Sequence, residues 1–291
     1  MSAASADERP GRTRLRSILT YDRTGEHRRT DELVTEEPLE LRLRAGSQRS
    51  TLAVTMRTPG NDFELAAGFA YSESLITSRD EMIGISYCLD AELSDEQRYN
   101  VVNIDIRASA LPDIERFERH FTMTSSCGIC GRAVIDRLET LGVQRLSDDQ
   151  LRVDIATILS LPSVARASQS IFERTGGLHA AALFTSDGTL LATREDVGRH
   201  NALDKLIGWA FIENRLPLTN TILLVSGRAS YELVAKAAVA RIPILASVSA
   251  PSSLAVDLAK TFGITLLGFV RDGRANCYAG EQRIIPTPKT L

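Results

Sequence analysis

From Leu39 onward apolar and polar positions alternate, as Leu39, Leu41, Leu43 and then Leu52, Val54, Met56, with Gly46-Ser47 between the two runs. A period of two with a glycine turn predicts two paired strands. Thr58-Pro59-Gly60-Asn61-Asp62 reads as a turn that ends in a helix start, because Phe63, Leu65, Ala66, Phe69, Ala70 and Leu75 then recur at helical spacing. A strand over Val101 to Ile106 follows. Residues 107 to 124 read as a connector, and Val134, Ile135, Leu138 and Leu141 place Cys127 through Leu141 on a helix. Beyond Ser163 the elements alternate: a helix to Arg174, strands Ala180 to Phe184 and Thr189 to Thr193 around the Ser186-Asp187-Gly188 turn, and a helix from Ala202 to Ile212. Strand Thr221 to Ser226, helix Tyr231 to Ala240, strand Ile244 to Ser249, helix Ser253 to Phe262 and strand Thr265 to Val270 complete the pattern. Such alternation predicts an α/β sheet with helices on its faces, joined to a smaller N-terminal β-rich unit.

Composition changes this picture at one end. Residues 1 to 35 are rich in arginine and acidic side chains and poor in apolar ones, which predicts a mobile Arg-rich tail. The whole chain is 43% hydrophobic over 291 residues, enough for a full core. With 34 basic and 37 acidic residues its formal charge is −3, so no whole-chain field favours nucleic acid or an anionic membrane. Lysine occurs four times against thirty arginines, which fits a compositional habit before it fits phosphate binding. No run of about 18 apolar residues exists to cross a membrane, and Met1 to Arg16 contain no signal-peptide core.

Four cysteines, Cys88, Cys127, Cys130 and Cys277, are too sparse for a disulfide framework and suggest a reducing, cytoplasmic setting. Ser125-Ser126-Cys127-Gly128-Ile129-Cys130-Gly131 is the strongest chemical feature. At a helix N-terminus, free backbone N–H groups and the helix dipole stabilise a thiolate and make it a nucleophile. Three uses compete. A structural zinc site lacks a second pair of ligands at matching spacing, so no structural metal is expected. A dithiol redox pair and a persulfide carrier both suit a low-pKa Cys-x-x-Cys, and the spacing leaves them open.

Thr175-Gly176-Gly177-Leu178-His179 sets a histidine at the entrance to a strand, where a buried structural role is the commoner one. Zinc deaminases use H-x-E with a later P-C-x-x-C, whereas here Ala181 stands in the Glu position and the Cys pair precedes the His. A metal-dependent deaminase therefore lacks its general acid/base. Glu195 through Lys205 crowds polar side chains around a strand-to-helix turn, either a capped helix or a site. Ser226-Gly227-Arg228 follows an apolar strand and opens a helix, an arrangement whose N–H groups and arginine suit phosphate, although it is no P-loop. Ser249-Ala250-Pro251-Ser252-Ser253 repeats it. Phe269-Val270-Arg271-Asp272-Gly273-Arg274 ends the last strand with arginines around a turn. Three such loops at strand C-terminal ends point to a nucleotide or polyphosphate ligand.

Taken together the chain resembles the FdhD family of formate dehydrogenase accessory sulfurtransferases. The matching stretches include Phe63-Glu64-Leu65-Ala66-Ala67-Gly68-Phe69, the Cys127 loop, Gly176-Gly177-Leu178-His179-Ala180-Ala181 and Glu195-Asp196-Val197-Gly198-Arg199-His200-Asn201, followed by Ser226-Gly227-Arg228, Ser249-Ala250-Pro251-Ser252 and Gly268-Phe269-Val270-Arg271. The resemblance implies a cytidine-deaminase-like α/β domain over residues 126–291 that carries the Cys loop at its start, after an N-terminal α+β unit over 36–125. It also implies a homodimer. By the same likeness Cys127 takes persulfide sulfur from a cysteine desulfurase, with Cys130 beside it, and passes it to the molybdenum bis(molybdopterin guanine dinucleotide) cofactor of a formate dehydrogenase. Phe269 to Arg274 would bind that cofactor and GDP would mimic it. The alternative is a cofactor-binding chaperone that transfers no sulfur. Two positions depart from the family pattern: Ser74 and Arg241 stand where a glycine is usual, which puts local turn geometry in question.

Overall fold

The computed structural model describes residues 11–88, 98–112, 131–146 and 151–287. The first two strands, β1 (Thr13–Asp22) and β2 (Gly25–Val34), form an antiparallel hairpin. This corrects the expectation of a mobile tail for residues 13–34. The charges that argued against order sit across the strands from one another, as in the Arg16↔Asp31 pairing, where opposite signs stabilise a hairpin. Asp22 closes the turn by accepting from the backbone N–H of Thr24 at 2.7 Å, and Gly25 takes a φ of 128° that suits glycine. Arg14 anchors the hairpin to Glu37 at 2.6 Å.

Next come β3 (Glu37–Ala45), β4 (Gln48–Arg57), helix α1 (Asp62–Ser72), β5 (Met82–Tyr87) and β6 (Val101–Ile106). Their sheet has the order β4-β3-β6-β5, with β3 parallel to β6 and the other pairs antiparallel. The alternation that predicts β3 now has its cause: Leu39, Leu41, Leu43 and Ala45 are buried while the residues between them reach outward. They pack with Leu65, Ala66, Ala67 and Ala70 of α1.

The C-terminal half contains α2 (Gly131–Thr140), β7 (Val153–Asp154), α3 (Ile155–Ala167), α4 (Ser170–Thr175), β8 (His179–Thr185), β9 (Leu190–Asp196), α5 (Arg199–Ile212) and β10 (Thr221–Val225). It continues through α6 (Tyr231–Val239), β11 (Ile244–Ser247), α7 (Ser253–Phe262), β12 (Thr265–Arg271), β13 (Arg274–Ala279) and the short β14 (Ile284–Ile285). The main sheet runs β13-β12-β11-β10-β8-β9, with β10, β11 and β12 parallel. Leu203, Leu206, Leu233 and Phe262 of α5, α6 and α7 cover one face. Ile158 and Leu161 of α3 cover the other, against Phe184, Ile222 and Ile244. Helices on both faces and a smaller β-rich unit are the architecture the pattern predicts. The single helix expected from Ser163 to Arg174 is instead two, because the chain turns at Ser168-Gln169 after α3, which begins earlier and carries Pro162 inside it. Strands β5 and β13 escape the pattern since neither shows a clean apolar alternation, and β13 is a mostly exposed edge strand.

The two halves are locked where α1 crosses α5. A Cβ on Gly68 would lie 1.8 Å from the backbone oxygen of Asp204, and one on Gly208 would lie 1.7 Å from that of Glu64. Only glycine fits both places. A Gly208→Ala variant should force the helices apart and lower stability by about 1–3 kcal/mol or more, read from the denaturant midpoint. An unchanged midpoint would show that the crossing tolerates separation.

Ser74 and Arg241 have φ values of 59° and 58°, each just past a helix end. The backbone N–H of Leu75 reaches the carbonyl of Ala70, and that of Ile242 reaches Ala237, closing each helix in the left-handed manner that favours glycine. The departures from the family pattern thus fall on strained turns. Ser74→Gly and Arg241→Gly should each raise stability, by about 1 kcal/mol, measured by thermal unfolding.

Candidate functional site

Because β10, β11 and β12 are parallel and β8 runs against β10, the C-terminal ends of the first three share one edge of the sheet with the N-terminus of β8 and the C-terminus of β9. That edge gathers nearly every loop singled out from the sequence: His179, Asp196 to His200, Ser226 to Arg228, Ser249 and Phe269 to Arg274. Cys127 and Cys130 lie outside the described residues.

At the β8–β10 end of this edge, Ser226 is fixed from both sides. Its backbone N–H donates to the Ala180 carbonyl at 3.0 Å, and its hydroxyl accepts from the Ala180 N–H at 2.9 Å. Gly227 next to it lies against His179, since a Cβ there would meet Nδ1 of that ring at 3.2 Å and the Arg199 side chain at 3.9 Å. Burial, reinforced by the nearby positive charges of Arg199 and His200, pushes the His179 pKa below its ordinary value. The ring is therefore held neutral near pH 7. Nε of Arg199 is buried with no hydrogen-bond partner among the described residues, a costly state in a folded protein unless something else accepts from it.

The Glu195 to Lys205 stretch divides between structure and surface. Asp196 and Lys205 are an ion pair 2.7 Å apart with both side chains fully buried. Asp196 further accepts from the N–H groups of Thr58 at 3.2 Å and Gly198 at 2.8 Å and from Asn201 at 3.1 Å, while Lys205 donates to the Thr58 carbonyl at 2.8 Å. These residues are an internal clamp between the two halves. Glu195 accepts from the Phe172 N–H at 2.9 Å and so caps α4. His200 faces the other way, 3.2 Å from Glu232. Burial raises the Glu232 pKa, but the hydrogen bond and charge of His200 outweigh it and bring the carboxyl down to about 2. The stability this pair supplies is present above the ordinary carboxylate range and is lost as pH falls toward 2.

Phe269 to Arg274 forms the β12–β13 hairpin. Asp272 and Gly273 take φ values of 54° and 70°, the two left-handed residues of a tight turn, so that Arg271 pairs with Arg274 across it. Phe269 is also left-handed, and its N–H donates to the Ser249 carbonyl at 3.1 Å. Arg271 lies over the Phe269 ring at 5.7 Å, and both arginines are exposed to solvent, whereas the Val270 side chain is wholly buried in the core. A ligand at this hairpin meets the arginines and the backbone.

The family model described as FdhD/NarQ matches residues 34–285. The chain belongs to this family. Within the FdhD/NarQ family, a relative from Streptomyces avermitilis named sulfur carrier protein FdhD is 54% identical over 260 residues, spanning 88% of this chain and 90% of that one. One of the same name from Nocardia farcinica is 46% identical over 272 residues, spanning 94% and 95%. A crystal structure from Desulfotalea psychrophila, named for a formate dehydrogenase accessory protein, aligns with a TM-score of 0.71 at 24% identity over 94% of this chain and all of that one, a likeness of fold. Among the described residues no helix is long and apolar enough to cross a membrane, and no three metal-binding side chains come together. Two features of this sheet edge that the sequence does not display are the unpartnered Arg199 nitrogen and the approach of Gly227 to His179. Both arise from strand order, which a linear pattern does not carry.

Proposed function

We propose that this chain is a cytoplasmic, homodimeric sulfur carrier that takes persulfide sulfur from a cysteine desulfurase onto Cys127. It delivers that sulfur to the molybdenum bis(molybdopterin guanine dinucleotide) cofactor of a formate dehydrogenase. The observation that carries the reading is 54% identity over 88% of the chain to a protein named sulfur carrier, together with a family match over residues 34–285 that includes Cys127-Gly128-Ile129-Cys130. In the loading step the Cys127 thiolate attacks the terminal sulfur of the donor persulfide. A new S–S bond forms as the donor's S–S bond breaks, and the donor cysteine leaves as a thiolate. The step is a transfer of sulfane sulfur with no external oxidant.

The cofactor is the substrate of this reaction, and its guanine dinucleotide arm suits the Phe269 to Arg274 hairpin, where two exposed arginines meet backbone at a strand end. Removing one charge-assisted contact costs about 1.5–3 kcal/mol, so Arg274→Ala should weaken GDP binding tenfold or more in calorimetry. Equal affinity would take this residue out of the site. The carrier reading itself is tested by incubating the purified protein with a desulfurase and cysteine and weighing it intact. Gain of one sulfur supports it, and no gain leaves a cofactor-binding chaperone in its place.

A further inference from the structure

Neither sulfur transfer nor nucleotide binding draws on the β1–β2 hairpin. Nearly all of it precedes residues 34–285, the span that the family model matches, so membership of the family assigns it no role. Its ties to the rest of the chain lie at its base, where Arg14 reaches Glu37 at 2.6 Å and Glu32 lies 3.4 Å from Arg174. Beyond them residues 21–30 are exposed throughout. Two strands alone are marginal in water and both are edges, yet these pair residue for residue over ten positions. Residues directly opposite in an antiparallel pair share a face, so Leu15, Leu19 and Tyr21 stand on one face with Glu32, Arg28 and Glu26 across from them. The three apolar side chains are 66%, 38% and 73% exposed. An apolar stripe beside charges of both signs has the make-up of an interface, an apolar centre with a polar rim. A second such patch lies on β4, an edge strand of the smaller sheet. Val54 and Met56, two positions apart and therefore on one face, are 66% and 46% exposed. Glu40 lies opposite Val54 and pairs with Arg42 at 2.8 Å, so this patch too is rimmed by both signs.

We propose that the hairpin is a dimerisation arm, which lays Leu15, Leu19 and Tyr21 on the Val54–Met56 face of a second copy whose own arm returns the contact. This rests on the homodimeric reading of the chain and names its surface. Charge favours a second copy over another partner. The arm brings Glu26, Arg28 and Glu32 and the landing face brings Glu40 and Arg42, so each sign finds its opposite, whereas a partner of one sign would set like charges together. Symmetry favours it as well, because an arm and a landing face on each chain make two equal contacts about a two-fold axis and close the assembly. So does area. Strands of ten residues give a ribbon face of about 30 Å by 10 Å, and two arms with two landing faces bury about 1,200 Å², the lower end of specific stable interfaces. One arm on an unrelated partner would bury about half as much, in the range of weak contacts.

The test is the mass of the full chain in solution, by light scattering across a dilution series. Wild type is compared with an arm variant, Leu15→Asp with Tyr21→Asp, and a landing variant, Val54→Asp with Met56→Asp. Wild type is expected as a dimer, and each double variant should raise the dimer Kd tenfold or more. All four side chains are exposed, so both variants should keep the circular dichroism of wild type. A dimer that survives the arm variant unweakened would overturn the arm and leave the homodimer standing. One weakened by the arm variant but not by the landing variant would overturn the landing face. A monomeric wild type would overturn homodimer and arm together, and if its arm variant then fails to bind a cysteine desulfurase, the arm belongs to that partner. Sulfur gain is weighed on the same samples. A wild-type dimer that gains no sulfur while both variants dissociate would strike the carrier reading and uphold the arm.

Discussion

Lys205→Met is expected to lose about 3–5 kcal/mol of folding stability, because it leaves the Asp196 carboxylate charged and without its counter-ion in a fully buried place. A loss of that size is a large share of the 5–15 kcal/mol typical of a folded domain. Burial pushes the Lys205 pKa down and Asp196 holds it up, and the close contact together with the Thr58 carbonyl keeps the ammonium satisfied. The same clamp binds Asp196 to the Thr58 N–H and Asn201 to the Met56 carbonyl at 2.8 Å, so its failure also loosens the N-terminal half. Denaturant unfolding of Lys205→Met, Asp196→Asn and the double variant measures this. The double variant should lose less than the two single losses combined, since each change removes the penalty the other creates. Additive losses, or a single-variant loss under about 1 kcal/mol, would mean that the pair is not coupled.

Cys127→Ala should abolish sulfur gain and formate dehydrogenase activation, while Cys130→Ala should only reduce them. The first cysteine stands nearer the N-terminal end of the helix expected from the sequence, where free N–H groups and the dipole favour a thiolate, and that influence fades within one turn. Persulfide mass and activation of apo-dehydrogenase are measured on each variant. If Cys130→Ala is the dead variant and Cys127→Ala still carries sulfur, the two roles are exchanged. If both activate normally, sulfur transfer is the wrong chemistry for this chain.

Most of the order of strands and helices from Leu39 to Val270 was legible because those elements announce a buried face, as Leu39, Leu41 and Leu43 do on β3 or Leu258 and Phe262 on α7, whereas β5 and the break between α3 and α4 do not. Tertiary context made the rest invisible. The β1–β2 hairpin shows little burial, so no hydrophobic period marks it. The role of Gly68 is set by a helix more than a hundred residues away. At the sheet edge the sequence named Ser226, His179 and the Phe269 hairpin as separate loops, and the parallel run of β10 to β12 is what brings them to one side. It divided the Glu195 to Lys205 cluster evenly between cap and site. The buried Asp196–Lys205 pair assigns that half of the cluster to the scaffold.

The glycine crossing of α1 and α5 bears on how the chain matures during synthesis. The apolar side of α1 leaves the ribosome about 130 residues before the helix that seals it, a delay of roughly ten seconds at ordinary rates of translation. Throughout that interval the side of α1 around Gly68, which in the folded chain lies against the backbone of Asp204, has nothing to cover it. A chaperone that shields exposed apolar surface on emerging chains would have its longest engagement with this protein there, and a ribosome stalled before residue 199 would display a half-molecule that binds such a chaperone and fails to resist protease.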